Sequence, residues 1–199
     1  MRYLFIVEMF GVKNRGRIEL IIGPMMCGKT GELSRRVRYE LIAGHNVVVI
    51  KHSSDDRLGS NSVLLSHSGD RLIAGGTLLV NTCERLRDCN VLGADVVAVD
   101  EGQFFPDLVE TSVKWAGDGI RVIVSALDGD SDSKPFGSVC DLVPQCESVD
   151  KLSGVCMACL QAPSVFSVRV DGSAARCDVG GSDKYRSVCR SCRAIAPPK

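Results

Sequence analysis

Four almost unbroken apolar runs recur along the first two thirds of the chain: "RIELII" at 17–22, "NVVVIK" at 46–51, "DVVAVD" at 95–100 and "IRVIVSA" at 120–126. Runs this short and this apolar predict strands buried on both faces rather than strands with one wet side. Between the first two, Leu33, Val37, Leu41 and Ile42 repeat at a helical spacing on one face, while Arg35, Arg36 and Arg38 lie elsewhere. This predicts a helix from about Thr30 to Ala43, stopped by Gly44. The stretch "PDLVETSVKWAGDG" predicts a second helix that opens on Pro106 and ends at glycine. Strands and helices in alternation imply an α/β fold, with a parallel sheet covered on both faces.

Outside that alternation the texture differs. Residues 1–16 read as a flexible lead-in, because "GVKNRG" is a turn-rich break. Asp55 to Gly76 is polar and rich in glycine and serine, the composition of a loop. After Val143 and Pro144, short β-like runs such as "SVFSVRV" replace the longer segments. The expected organisation is a first domain over 17–150, a small β-rich domain over 151–193 and a frayed tail over 194–199.

Charge narrows the choice of partners. Twenty-four basic and 24 acidic residues cancel, and only 5% of residues are aromatic, so neither a basic stripe nor a stacking platform for nucleic acid is expected. Leu4 to Val7 is too short an apolar run for a signal peptide, and nothing later reaches a membrane span. The expectation is a cytoplasmic protein with no membrane partner. The ten cysteines are then expected as reduced thiols, with metal binding for those that fall in pairs.

The stretch "GPMMCGKT", comprising Gly23, Pro24, Met25, Met26, Cys27, Gly28, Lys29 and Thr30, fits the phosphate-binding pattern G-x-x-x-x-G-K-[ST] between a strand and a helix. In such a P-loop, backbone N–H groups and the helix N-terminus cradle a triphosphate, the lysine reaches its outer oxygens, and the threonine hydroxyl ligates Mg²⁺. The run ending in Asp100 is placed to hold that magnesium. Glu101 follows at the carboxyl end of the strand, where it could act as a general base, or could simply favour the dipole of the helix opened by Pro106. Asp55 and Arg57 could reach phosphates or lie on a solvated surface, and His67 reads as a loop or capping residue. Phe104 and Phe105 are core residues by default, with a base-stacking role open to them.

Cys156, Cys159, Cys189 and Cys192 form two C-x-x-C pairs in the β-rich segment. Four thiolates fill the tetrahedral shell of Zn²⁺ and leave no open position, so the site is expected to be structural. Redox pairs or unpaired thiols are the alternatives.

The set "GRIELIIGPM", "GKT", "DEGQFF", "ALDG", "KPFG", "LVP", "VCMAC" and "GGSDKY" with "VCRSC", in this order from about Arg17 to Cys192, resembles the type II thymidine kinases of the cellular and poxviral kind. The resemblance implies a P-loop nucleotide-binding domain with a C-terminal zinc-binding lasso. It also implies transfer of the ATP γ-phosphoryl group to the 5′-hydroxyl of thymidine, with Mg²⁺ and a structural Zn²⁺, in a homotetramer. By position, Glu101 matches the base; Lys29, Thr30 and Asp100 match the phosphate and magnesium set. Asp55 and Arg57 match the flexible loop, and Gln103 the glutamine beside the nucleotide. Met25, Phe104 and Leu127 match residues that wall the thymine. The lasso would read the base through the backbone of Asp178, Val179, Gly180 and Gly181, with Tyr185 packed on the substrate.

Several positions depart from the family pattern, mostly on the nucleoside side. Ser131 stands where an aromatic residue is usual, Ser167 where a threonine is usual, and Gly31 where a threonine follows the P-loop. Met26 replaces a phenylalanine, Ser68 an acidic residue, and Arg176 and Asp178 apolar lasso residues. These changes leave open a second reading, a degenerate copy that folds and supports an active partner.

Overall fold

The computed structural model describes residues 16–53, 76–170 and 184–195. All but the last residue of the expected lead-in, nearly all of the polar loop from Asp55, and Arg176 with the lasso residues Asp178 to Gly181 lie outside them. Among the described residues no helix is long and apolar enough to cross a membrane.

The expected α/β alternation is present. β1 (Arg17–Ile22), α1 (Lys29–Ile42), β2 (Val47–His52), β3 (Leu78–Cys83), β4 (Val96–Val99), α2 (Leu108–Gly117), β5 (Arg121–Ala126), the short α3 (Val139–Leu142) and β6 (Ser148–Lys151) follow in order. The sheet has six strands in the order β3-β2-β4-β5-β1-β6, and every pairing is parallel. Its two faces are separate apolar layers. Leu20, Val48, Val97, Val122 and Val124 pack with Phe105, Leu108, Trp115 and Leu142 on one side. Ile21, Val49, Ala98 and Ile123 pack with Leu33 and Val37 of α1 on the other. Both faces of each central strand are therefore dry, which is why the runs show no alternation.

β3 and β6 were not expected. They are the two edge strands, and each carries exposed side chains, so neither has a continuous apolar signature. α2 begins two residues later than Pro106 suggests. Asp107, the residue before it, turns its carboxylate to the N–H groups of Leu86 (3.0 Å) and Arg87 (2.9 Å) and so ties the helix start to a neighbouring turn. Within α1, Leu33 and Val37 are buried as expected, but Ile42 is exposed at the last turn.

Arg36 does not lie free on the surface of α1. It reaches Glu19 of β1 at 3.0 Å, Asp150 of β6 at 2.7 Å and Glu32 at 2.9 Å. Glu19, a charge buried in a central strand, also pairs with Arg17 and Arg121, and Arg121 pairs with Glu40. The buried carboxylate is thus met by guanidinium donors on several sides, the condition for keeping a charge in a dry sheet.

Among the described residues the expectation of reduced thiols fails at one pair. Cys83 and Cys89 are joined in a disulfide. The end of β3 and the turn at Leu86–Asp88 fold the chain back over a spacing that is not C-x-x-C.

Beyond β6 come two small antiparallel sheets: β7 (Gly154–Val155) with β8 (Pro163–Ser164), and β9 (Phe166–Arg169) with β10 (Tyr185–Val188), followed by α4 (Arg190–Ile195).

Candidate active site and metal centre

The glycine loop takes up backbone conformations that its sequence permits only in part. Gly23, immediately after β1, has φ 148°, and a Cβ there would lie 2.6 Å from the Leu152 carbonyl and 2.8 Å from Cys27 Sγ. Gly28, at the start of α1, has φ 90°, and Met26 between them has φ 58°. A left-handed methionine costs roughly 1–2 kcal/mol, so the surroundings must hold it. With glycine before the helix no side chain caps its N-terminus, the arrangement that leaves helix-terminal N–H groups to an anion. Lys29 is buried and its Nζ donates to the Pro24 carbonyl at 2.7 Å, folding the ammonium back over the loop. Cys27 is half-buried, and burial pushes its thiol up.

β4 ends two strands away, beyond β5. Asp100, buried, faces the Thr30 hydroxyl with its two carboxylate oxygens at 3.4 and 3.5 Å. These are hard oxygen donors, the kind Mg²⁺ prefers, and they converge from two elements beside the P-loop. Glu101 follows in a left-handed conformation, φ 53° and ψ 46°. Gln103 holds it: Nε2 donates to Glu101 Oε2 at 2.6 Å, while Oε1 accepts the Leu127 N–H at 2.9 Å. The carboxylate is therefore aimed from the backbone and fixed from the side. It precedes a short turn at Gly102–Phe104, not the helix near Pro106, so the dipole reading of Glu101 does not apply to α2.

Phe105 is core, as expected. Phe104 is half-buried, with the His52 ring 5.7 Å away and the Phe136 ring at 5.9 Å. Leu127 lies half-buried at the end of β5, next to Gln103. Ser131 sits on a tight turn organised by Asp130, whose Oδ1 accepts the N–H groups of Asp132 and Lys134 at 2.9 Å each. Arg193 reaches from α4 to the Asp132 carbonyl at 3.0 Å, bringing the cysteine-rich segment against that turn.

The four paired cysteines come together as expected. Their sulfurs all lie within 4.8 Å of one another, and Cys159 Sγ to Cys189 Sγ is 4.0 Å. Zinc–sulfur bonds of about 2.3 Å in a tetrahedron require sulfurs about 3.8 Å apart, so the cluster fits Zn²⁺ with little adjustment. The electrostatics point the same way. The Cys159 backbone N–H lowers the Cys156 thiol, whereas Cys192, sharing a hydrogen bond with Cys189, is pushed up. Four sulfurs this close cannot all ionise without a cation between them. Among the described residues the local core beside the cysteines holds Val188, buried, and Ala162, Phe166 and Val168 in part.

Two serines of this segment touch the P-loop. Ser167, in β9, accepts the Met25 N–H at 2.9 Å, and Ser187, opposite it in β10, donates to the Met25 carbonyl. Tyr185 is buried beside them, with the Arg169 guanidinium 5.5 Å over its ring. The sequence singled out Ser167 and Tyr185 but not Ser187. A bond between residues 162 positions apart leaves no local signal. Asp55, Arg57, His67, Ser68, Asp178, Val179, Gly180 and Gly181 lie outside the described residues, so no contact is assigned to them.

The thymidine kinase family matches the chain over residues 16–193. The thymidine kinase of Variola virus is 45% identical over 180 residues, covering 90% of this chain and 97% of its own length. That of Vaccinia virus (strain Ankara) is 44% identical over the same span and shares. Among solved structures, the Legionella pneumophila ATPase DotB aligns with 69% of this chain and 41% of its own at a TM-score of 0.37 and 13% identity.

Proposed function

We propose that this chain, which belongs to the thymidine kinase family, transfers the γ-phosphoryl group of ATP to the 5′-hydroxyl of thymidine. The observation that carries the reading is the convergence of a glycine loop with Lys29 and Thr30 on one side and Asp100 with Glu101 on the other. Phosphoryl transfer asks mainly for positioning and for charge stabilisation, and these groups supply both.

In this reading the loop amides and Lys29 bind the phosphates. Thr30 and Asp100 would hold Mg²⁺, which when bound neutralises charge developing on the phosphate oxygens. Glu101 takes the proton from the 5′-hydroxyl as that oxygen attacks. Gln103 keeps the carboxylate oriented and dry on one side, so that its basic oxygen faces the hydroxyl. Met25, Phe104, Leu127, Ser131, Ser167 and Tyr185 are assigned to the nucleoside side. The four cysteines are assigned to a structural Zn²⁺ at the base of the lasso. The reading extends to a first unit over 17–150, a zinc unit over 151–193, a cytoplasmic location and a homotetramer, which solution mass measurement checks.

The test is formation of thymidine monophosphate by zinc-loaded protein, dependent on both ATP and Mg²⁺, beside the variant Glu101→Gln. Removing a general base is expected to lower kcat by about 10²- to 10⁴-fold while ATP binding persists. A folded protein that binds ATP and forms no product at any thymidine concentration overturns the proposal.

A further inference from the structure

Two side-chain hydrogen bonds join the metal-binding segment to the phosphate loop at a single residue. Met25 is held at both ends, its N–H donating to Ser167 Oγ at 2.9 Å and its carbonyl accepting from the Ser187 hydroxyl. Ser167 and Ser187 face each other in the β9–β10 register, and both are buried, at 6% and 1% exposure. The backbone carbonyl of Ser187 in turn accepts the N–H of Met157, which lies between the cysteines of the first pair, at 2.8 Å. One residue thus bonds the phosphate loop with its side chain and the metal knuckle with its backbone.

The geometry of a peptide bond gives that contact a consequence. The Met25–Met26 peptide is trans, so its carbonyl and its N–H point in opposite directions. Pinning the carbonyl toward β10 turns the Met26 N–H to the other side, away from the cysteine-rich segment. Met26 is also the left-handed residue of the loop, and a free methionine relaxes from that conformation. We propose that Ser187 is a positioning residue for the phosphate loop: it fixes the Met25–Met26 peptide so that the Met26 N–H is presented to the triphosphate of the nucleotide, while Ser167 holds the preceding Pro24–Met25 peptide. The cysteine-rich segment then serves the phosphate side as well as the nucleoside side. This inference rests on the ATP-binding reading above and names a residue that reading does not use.

The experiment is equilibrium binding of a non-hydrolysable ATP analogue with Mg²⁺ and without thymidine, to the full zinc-loaded chain and to Ser187→Ala and Ser187→Thr. Zinc content is measured alongside. One hydrogen bond's worth of orientation predicts a loss of affinity of about 3- to 10-fold in Ser187→Ala at unchanged zinc stoichiometry. Ser187→Thr keeps the hydroxyl and should recover most of it. If Ser187→Ala does not fold, Ser167→Ala releases the preceding peptide at the N–H of the same residue and carries the same expectation. Equal affinity in parent and serine-to-alanine variants, with zinc retained, overturns the positioning role. So does a threonine variant as weak as the alanine one, since bulk rather than the hydroxyl would then matter. Failure of the parent itself to bind the analogue overturns the ATP reading, and this inference with it.

Discussion

Replacing Gln103 with methionine separates the scaffold of the site from its chemistry. Methionine is unbranched, of similar length and flexible enough to fill the space, so little packing is lost. Two bonds go. The Leu127 N–H loses its acceptor at a 4% exposed side chain, and an orphaned buried amide costs about 1–3 kcal/mol. Glu101 loses the donor at 2.6 Å, worth about 1 kcal/mol for a half-buried carboxylate. Together the expected destabilisation is about 2–4 kcal/mol, read as a shift of the urea midpoint at unchanged slope and fixed protein concentration. Glu101→Gln retains an acceptor oxygen for the same donor and should lose less than about 1 kcal/mol. Turnover should fall about tenfold or more in Gln103→Met, because the carboxylate loses the amide that fixes its orientation from this side. A midpoint shift below about 1 kcal/mol, or one no larger than that of Glu101→Gln, refutes the bridging role.

Gly31→Ala should stabilise the protein by about 0.5–1 kcal/mol in thermal unfolding, since nothing lies within 4 Å of a Cβ built there and glycine is a poor residue inside a helix. The Arg35 side chain, hydrogen-bonded to Glu32, is the largest influence holding that carboxyl down at about 2 instead of its ordinary 4.5. Because the folded value is the lower one, its contribution is complete above about 4.5 and is lost as pH falls from there toward about 2. An acid titration of stability should therefore be shallower in that window for Glu32→Gln, and an unchanged slope counts against the pairing. Metal removal by a chelator should expose the amides around Cys156 and Cys189 to hydrogen exchange. The single tryptophan, Trp115, buried against the sheet, should keep its emission. Loss of the tryptophan signal in step with the metal would show that the two parts unfold as one.

The parts of the fold visible in the sequence are those where local pattern and global burial agree. β1 and β5 are readable because both of their faces are dry, and α1 because Leu33 and Val37 meet the sheet at the right spacing. β3 and β6 escaped because an edge strand is half exposed, and "LLVNTC" or "SVDK" looks like a loop. The same distinction divides the site. Lys29, Thr30 and the four cysteines belong to contiguous patterns whose chemistry demands that spacing. Asp100 and Glu101 are marked by the strand they end. Ser187, the Gln103 bridge and the Glu19 charge network depend on which segments the fold brings together, and no stretch of neighbouring residues records that.

Only Leu152 and Ser153 separate the last strand of the large sheet from the first strand of the cysteine-rich part. Leu152 is itself engaged, its N–H bonded to Ile22 at 2.8 Å and its carbonyl lying against Gly23. A join this short has no slack, so the two parts cannot swing independently of each other. Any rotation of the cysteine-rich body is delivered straight to the residue where the phosphate loop begins. The segment is consequently not portable. Grafted onto a related sheet without β6 and its own glycine loop, it would arrive with no socket; a chimera that respects the seam must exchange all three together.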